Sequence, residues 1–132
     1  MLRALSLSFA LAACLAAQPA VPDHVLFEQD IEYSNVGGRM AMDIAMPDGP
    51  GPFPAVVAIH GGGFRAGKRE SYHPLILKLA QRGYVAATVT YRLSPRNQFP
   101  AAVQDVKAAV RFLRANARRF RFVVHPHAEG QA

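Results

Sequence analysis

Ala55-Val56-Val57-Ala58-Ile59-His60-Gly61-Gly62-Gly63-Phe64 decides how this chain is read. Five apolar residues, all of them small or β-branched, predict a strand running from Ala55 to His60. Their near-continuous hydrophobicity is the pattern of a parallel strand covered on both faces. Three glycines follow at once. Without Cβ atoms the backbone there can turn in ways closed to other residues, so several N–H groups can converge on one point. Such a point suits an oxygen that gains negative charge during acyl transfer, because donors fixed in advance lower the barrier. The same triplet could be a plain turn or a phosphate cradle. A P-loop requires Gly-Lys-Ser/Thr, and Gly67-Lys68-Arg69 lacks the hydroxyl.

Working outward, the flanking segments alternate between strand and helix patterns. Val25 to Tyr33 and Arg39 to Met46 read as two strands, joined by the turn residues Asn35-Val36-Gly37-Gly38. They predict a hairpin. Pro47-Asp48-Gly49-Pro50-Gly51-Pro52 is a stiff loop. After the glycine triplet, Pro74 suits a first helical turn and Gly83 a C-terminal cap. Leu75, Ile76, Leu79 and Ala80 form the expected buried side. Tyr84 to Leu93 reads as a second buried strand, Ser94 to Gln98 as a loop, and Pro100 as the opening of a long amphipathic helix. Strand, helix, strand, helix in this order predict an α/β class with parallel strands and right-handed crossovers.

The chain has 132 residues, 51% of them hydrophobic and 18% charged. This bounds it to one globular domain and excludes a disordered one. The formal net charge is +6, and much of the excess is local. Lys107, Arg111, Arg114, Arg118 and Arg121 recur at helical spacing, with Val103, Val106, Val110, Leu113, Ala117 and Phe120 on another face. That is the pattern of a surface helix with a solvated basic side. Exposed aromatics interleaved with the cations, or a known nucleic-acid module, are missing, so no nucleic-acid partner is expected.

Residues 1–17 read as a signal peptide. Met1-Leu2-Arg3 is a short positive head, and the apolar run Ala4 to Ala13 is too short to span a bilayer. Leu11-Ala12-Ala13-Cys14 also has the form of a bacterial lipobox, which makes Cys14 a candidate lipidation site. The alternative is cleavage near Ala16 or Ala17. Either way the protein is expected to be exported, periplasmic or secreted, touching membrane only through the signal or a lipid anchor. Cys14 is the single cysteine, so no intrachain disulfide forms. No metal site and no cofactor are expected. His60, His73, His125 and His127 are scattered, and a metal site needs three or four convergent ligands. His60 is expected to brace the glycine loop by hydrogen bonding.

Several stretches occur in one order: Asp30-Ile31-Glu32-Tyr33, Met42-Asp43-Ile44, Pro54 to Phe64, Gly67-Lys68, Arg82-Gly83-Tyr84-Val85, Tyr91-Arg92-Leu93-Ser94, and Phe99 to Lys107. Together they resemble the N-terminal half of α/β-hydrolase-fold esterases, in the bacterial acetylesterase/lipase and hormone-sensitive-lipase-like branch. The resemblance covers about residues 28 to 118, within an expected domain of 24–121.

It implies a carboxylic-ester hydrolase acting on short acyl esters as small-molecule substrates. Gly62 and Gly63 would be the oxyanion N–H donors, with Gly61 shaping the turn and His60 and Phe64 supporting the loop. Tyr91 and Arg92 would be structural. Asp105 would be a helix-surface carboxylate paired locally, not the triad acid.

The departures are as informative. No Gly-x-Ser-x-Gly occurs, and Ser34, Ser71 and Ser94 fit no nucleophile elbow. Residues 122–132 are expected to be an irregular tail read out of frame, so that the fold is truncated before the nucleophile strand and the triad is absent. The chain would then be inactive. Its Ala55–His60 strand would be left as an apolar sheet edge, marginally stable or poorly soluble. The alternative from another class is a non-catalytic exported binding module that uses its basic helix face. The oligomeric state is left open.

Overall fold

The computed structural model describes residues 18–124; Cys14, the signal segment, His125 and His127 lie outside them. The order is β1 (Val25–Ser34), β2 (Met40–Pro47), β3 (Ala55–Ala58), a 3₁₀ turn (Arg69–Tyr72), α1 (His73–Gln81), β4 (Val85–Val89), α2 (Ala101–Ala115) and a short α3 (Ala117–Phe120). The four strands form one mixed sheet in the order β1-β2-β4-β3. β1 and β2 make the antiparallel hairpin, β2 and β4 pair antiparallel, and β3 runs parallel to β4.

The periodicity of the strands explains the layers. On β2, Met40, Met42, Ile44 and Met46 point to one face. There they meet Val85, Ala87 and Val89 of β4, Ala109 and Leu113 of α2, and Phe120 of α3. Ala45 and Ala86 point to the other face and meet Ile76, Leu77 and Ala80 of α1, with Ala58 of β3. The alternation of large and small residues along β2 therefore marks two covered faces. The methionines fill the thicker layer under α2, and the alanines let α1 approach closely.

β3 is shorter and less covered than the hydrophobicity of its residues suggests. It ends at Ala58, and its exposure pattern runs from exposed Ala55 through half-buried Val56 and Val57 to buried Ala58. It is an edge strand of this sheet, as expected for the Ala55–His60 segment, and it lacks the cover on both faces that its hydrophobicity suggests. The strand covered throughout is β4, with all five residues buried.

Glycine and proline set the ends. Pro74 sits in the first turn of α1. Gly83, at φ +90°, closes that helix with its N–H donating to Ala80 O. The predicted long helix is interrupted at Asn116, whose Nδ2 donates back to Phe112 O at 2.8 Å. Arg121, at φ 59°, ends α3 in the left-handed region. Its Nη1 donates to Gly49 O, and Phe53 N donates to Arg121 O at 2.8 Å. Val123 N donates to Phe53 O, and Phe53 and Phe122 form a parallel bridge. Phe122 and Val123, the first residues of the segment read as an irregular tail, thus lie in strand register against the residues that precede β3.

Candidate active site

The glycine loop leaves β3 at the C-terminal end of the parallel strand pair. Gly62 stands at φ +136° and Gly63 at +61°. Gly62 O accepts from Arg65 N at 3.1 Å and Ala66 N at 3.2 Å, which closes a tight turn. A Cβ on Gly62 would lie 1.9 Å from Ala66 O. One on Gly67, at φ +107°, would lie 2.4 Å from both Gly61 O and His60 Nδ1. These two positions admit only glycine. Gly61 has open space beside it and no positive φ, so the turn does not require glycine there, contrary to the shaping role expected of it.

Three carbonyls of the loop are engaged, while the N–H groups of two of its glycines are not. Gly61 O accepts from His60 Nδ1 at 3.0 Å, and this requires the proton on Nδ1. Gly62 O closes the turn, and Phe64 O accepts from Ser94 N at 2.7 Å. Among the described residues, the N–H groups of Gly62 and Gly63 have no acceptor. Both residues are exposed. With the carbonyls drawn into the protein, the loop offers the positive ends of its peptide dipoles to an incoming oxygen.

His60 is buried and stacks on Tyr91, with centroids 4.4 Å apart. Tyr91 Oη donates to His60 O at 2.6 Å. Burial raises the Tyr91 phenol above its ordinary pKa, so it stays a donor. Tyr91 is therefore the post that holds the start of the loop. Next to it, Arg92 and Asp105 form a clamp. Asp105 Oδ2 accepts from Arg92 N and Nε at 2.9 Å, and Oδ1 accepts from Nη2 at 2.9 Å. This bond to Asp105 raises the Arg92 pKa further. Asp105 is 2% exposed, which corrects its reading as a surface carboxylate. Its helix turns it inward, where the carboxylate fixes the backbone of the Tyr91–Ser94 segment that supports Phe64.

The far end of the loop is tied down by a polar cluster that the spacing of residues does not reveal. Asp43 of β2 is buried. It accepts from Arg69 Nε at 2.9 Å, His73 Nε2 at 2.7 Å and Asp30 N at 2.7 Å. Arg69 also donates to Thr90 Oγ1 at 2.8 Å. His73, one of the scattered histidines, thus pairs with a carboxylate 30 residues away. The one available signal was an aspartate inside an otherwise apolar strand, since a buried charge needs a partner.

Phe64 is 63% exposed. It borders a cavity of about 390 Å³ shared with Gly63, Ser94, Asn97, Phe99 and Val103. A second, wholly apolar cavity of about 280 Å³ lies between Ile59, Phe64, Tyr91, Val103 and Lys107. Apolar walls beside free N–H donors suit a ligand with one polar oxygen and an apolar group. Among the described residues, no group of three or more His, Cys, Asp or Glu side chains is placed to hold a metal ion. Ser71 opens no helix in the manner of a nucleophile elbow: it lies within the 3₁₀ turn before α1.

The chain is similar to several carboxylic ester hydrolases. The BD-FAE family profile matches residues 42–125. The probable carboxylic ester hydrolase LipM of Mycobacterium tuberculosis is 36% identical over 95 residues, 69% of this chain and 22% of LipM. The esterase of the hyperthermophilic archaeon Pyrobaculum calidifontis superposes with a TM-score of 0.67 at 34% identity, covering 74% of this chain and 32% of that one. Esterase B of Lactobacillus rhamnosis, solved with a tributyrin phosphonate inhibitor, gives a TM-score of 0.68 at 26% identity, covering 79% of this chain and 35% of its own. The chain therefore spans about a fifth of LipM and a third of either structure, and it has the N-terminal part of their α/β-hydrolase fold.

Proposed function

The chain belongs to the BD-FAE family of carboxylic-ester-hydrolase-like proteins, and from that premise we propose that residues 60–67 are the oxyanion-binding half of an exported esterase for short acyl esters. The carrying observation is the contrast between engaged carbonyls and free N–H groups at Gly62 and Gly63. In acyl transfer a nucleophile adds to the ester carbonyl and its oxygen becomes an oxyanion. Gly62 N–H and Gly63 N–H would donate to that oxygen. The carbonyl carbon would then sit above the loop, with one ester substituent against Phe64 and the apolar cavities beside it.

Tyr91, His60 and Gly67 hold the donors in place before substrate arrives, so no reorganisation is needed at the moment charge develops. The tributyrin phosphonate that inhibits Esterase B carries short butyryl chains, which supports the short-acyl reading. The positive head and apolar run of the first residues support export.

The nucleophile is not among the 132 residues, which contain no Gly-x-Ser-x-Gly. By itself this polypeptide is expected to bind and polarise an ester carbonyl without forming an acyl-enzyme. Labelling with a serine-directed fluorophosphonate tests this. No adduct is expected, and stoichiometric labelling at Ser71 or Ser94 would overturn it.

A further inference from the structure

The solvent face of α2 and α3 carries Lys107, Arg111, Arg114 and Arg118, all exposed. Separations of four and three residues put Lys107, Arg111 and Arg114 in one file along α2, and Arg118 follows on α3 beyond the break at Asn116. At 1.5 Å per residue the part on α2 is roughly 10 Å long, with a cation every 4.5–6 Å or so. None of the four has a carboxylate partner among the described residues, whereas neighbouring Arg119 pairs with Glu28 at 2.8 Å. Between residues 71 and 124 the only carboxylate is Asp105, and Arg92 already neutralises it. The file is therefore an uncompensated line of charge. It starts at the candidate site, because Lys107 borders the apolar cavity shared with Phe64 and Tyr91.

We propose that this file is a track for an acidic polysaccharide, and that it presents esters borne on that polymer to the glycine loop. The second clause rests on the oxyanion reading of the loop; the first does not. A polymer with a carboxylate on each sugar ring presents anions in a line at a comparable interval, and charge complementarity along a file favours a line over a plane. A membrane surface fits less well, because a helix that lies in an interface buries an apolar face. Between Gln104 and Phe120 no large apolar side chain is exposed. A nucleic acid would call for stacking aromatics along the file, and none is exposed there.

The test uses the full chain and polygalacturonate at low salt. Binding is expected and should weaken steeply with added salt, since exposed charges are screened. Arg111→Glu with Arg114→Glu should reduce affinity by about tenfold or more. Lys78→Glu with Arg82→Glu, the same charge change on exposed positions of and beside α1, should change it less than about twofold. Lys107→Gln with Arg118→Gln keeps the question open to test if the reversal variant does not fold.

No binding by the unmodified chain, or equal losses in the two reversal variants, overturns the track. File-dependent binding to phosphatidylglycerol vesicles but not to polygalacturonate overturns it in favour of a membrane. O-acetylated polygalacturonate separates the two readings. File-dependent binding that leaves the Gly62 and Gly63 amide resonances unmoved overturns the presentation of esters to the loop, while the track stands. Shifts at those amides that survive Arg111→Glu/Arg114→Glu refute the track alone.

Discussion

Replacing Gly62 with alanine should damage this chain in a way that replacing Gly61 does not, although the two are neighbours in one glycine triplet. At Gly62 the new Cβ meets Ala66 O at 1.9 Å and Ala66 C at 2.6 Å. Both are backbone atoms, so no side-chain rotation relieves the overlap. The turn has to open, and Gly62 O then loses the N–H groups of Arg65 and Ala66. Each such bond is worth about 0.5–1.5 kcal/mol net. Holding alanine at φ +136° adds strain on the order of 1–3 kcal/mol. Because the loop can relax in part, the expected loss is about 2–4 kcal/mol, a fall in Tm of roughly 10–20 °C for a domain of this size. Gly61→Ala meets nothing within 4 Å and should stay within about 0.5 kcal/mol of the unaltered chain. Urea unfolding of both variants gives the difference, and amide exchange at Arg65 and Ala66 reports the turn. Equal stabilities with unchanged protection at those amides would refute the geometry assigned to the loop.

Three further outcomes are expected. Asp105→Asn leaves the Arg92 guanidinium without its counter-charge beside a group 2% exposed; it should cost about 2–4 kcal/mol in urea unfolding and loosen the Ser94–Phe64 contact in amide exchange. Burial, with the nearby Asp105 charge, raises the Tyr33 phenol well above its ordinary value of 10.0. The unfolded chain therefore releases this proton first, so the stability contribution is complete below about pH 10 and is lost as pH rises beyond it, by up to about 1.4 kcal/mol per pH unit; Tyr33→Phe should flatten that decline in a pH series of urea midpoints. In an enzyme that joins these residues to a nucleophile, Gly63→Val should lower kcat by about 10²–10³ with little change in KM, because it misdirects a donor used only in the transition state.

How far the residues reveal this structure differs from element to element. The α/β class, the hairpin and both major helices follow from periodicity, turn residues and the placement of Pro74, Gly83 and Pro100. Periodicity reports how apolar a segment is, but not which neighbour covers it. β3 has the hydrophobicity of a strand covered on both faces yet lies at the sheet edge expected of it, and the alternation along β2 marks two covered faces of different depth. The site divides in the same way. Gly62 and Gly63 stand out because a positive φ leaves a mark in the choice of residue. Gly67 leaves the same mark, yet its contact with His60 depends on how the loop folds back. Tyr91, the Arg92–Asp105 clamp and the Asp43–Arg69–His73 cluster join residues 13 to 31 positions apart. No spacing rule links such pairs, and only the packing of β2 and β4 between the helices brings them together.

The central claim is that Gly62 and Gly63 hold N–H donors ready for an oxyanion. Titrating the isotope-labelled chain with butylphosphonate, whose anionic oxygens stand in for that oxyanion, tests it most directly. The account predicts saturable downfield shifts of the Gly62 and Gly63 amide protons, abolished by Gly62→Ala, with Gly49 in the distant loop unmoved. Unshifted Gly62 and Gly63 amides, or shifts no larger than that of Gly49, would contradict it and leave the glycine loop a structural turn.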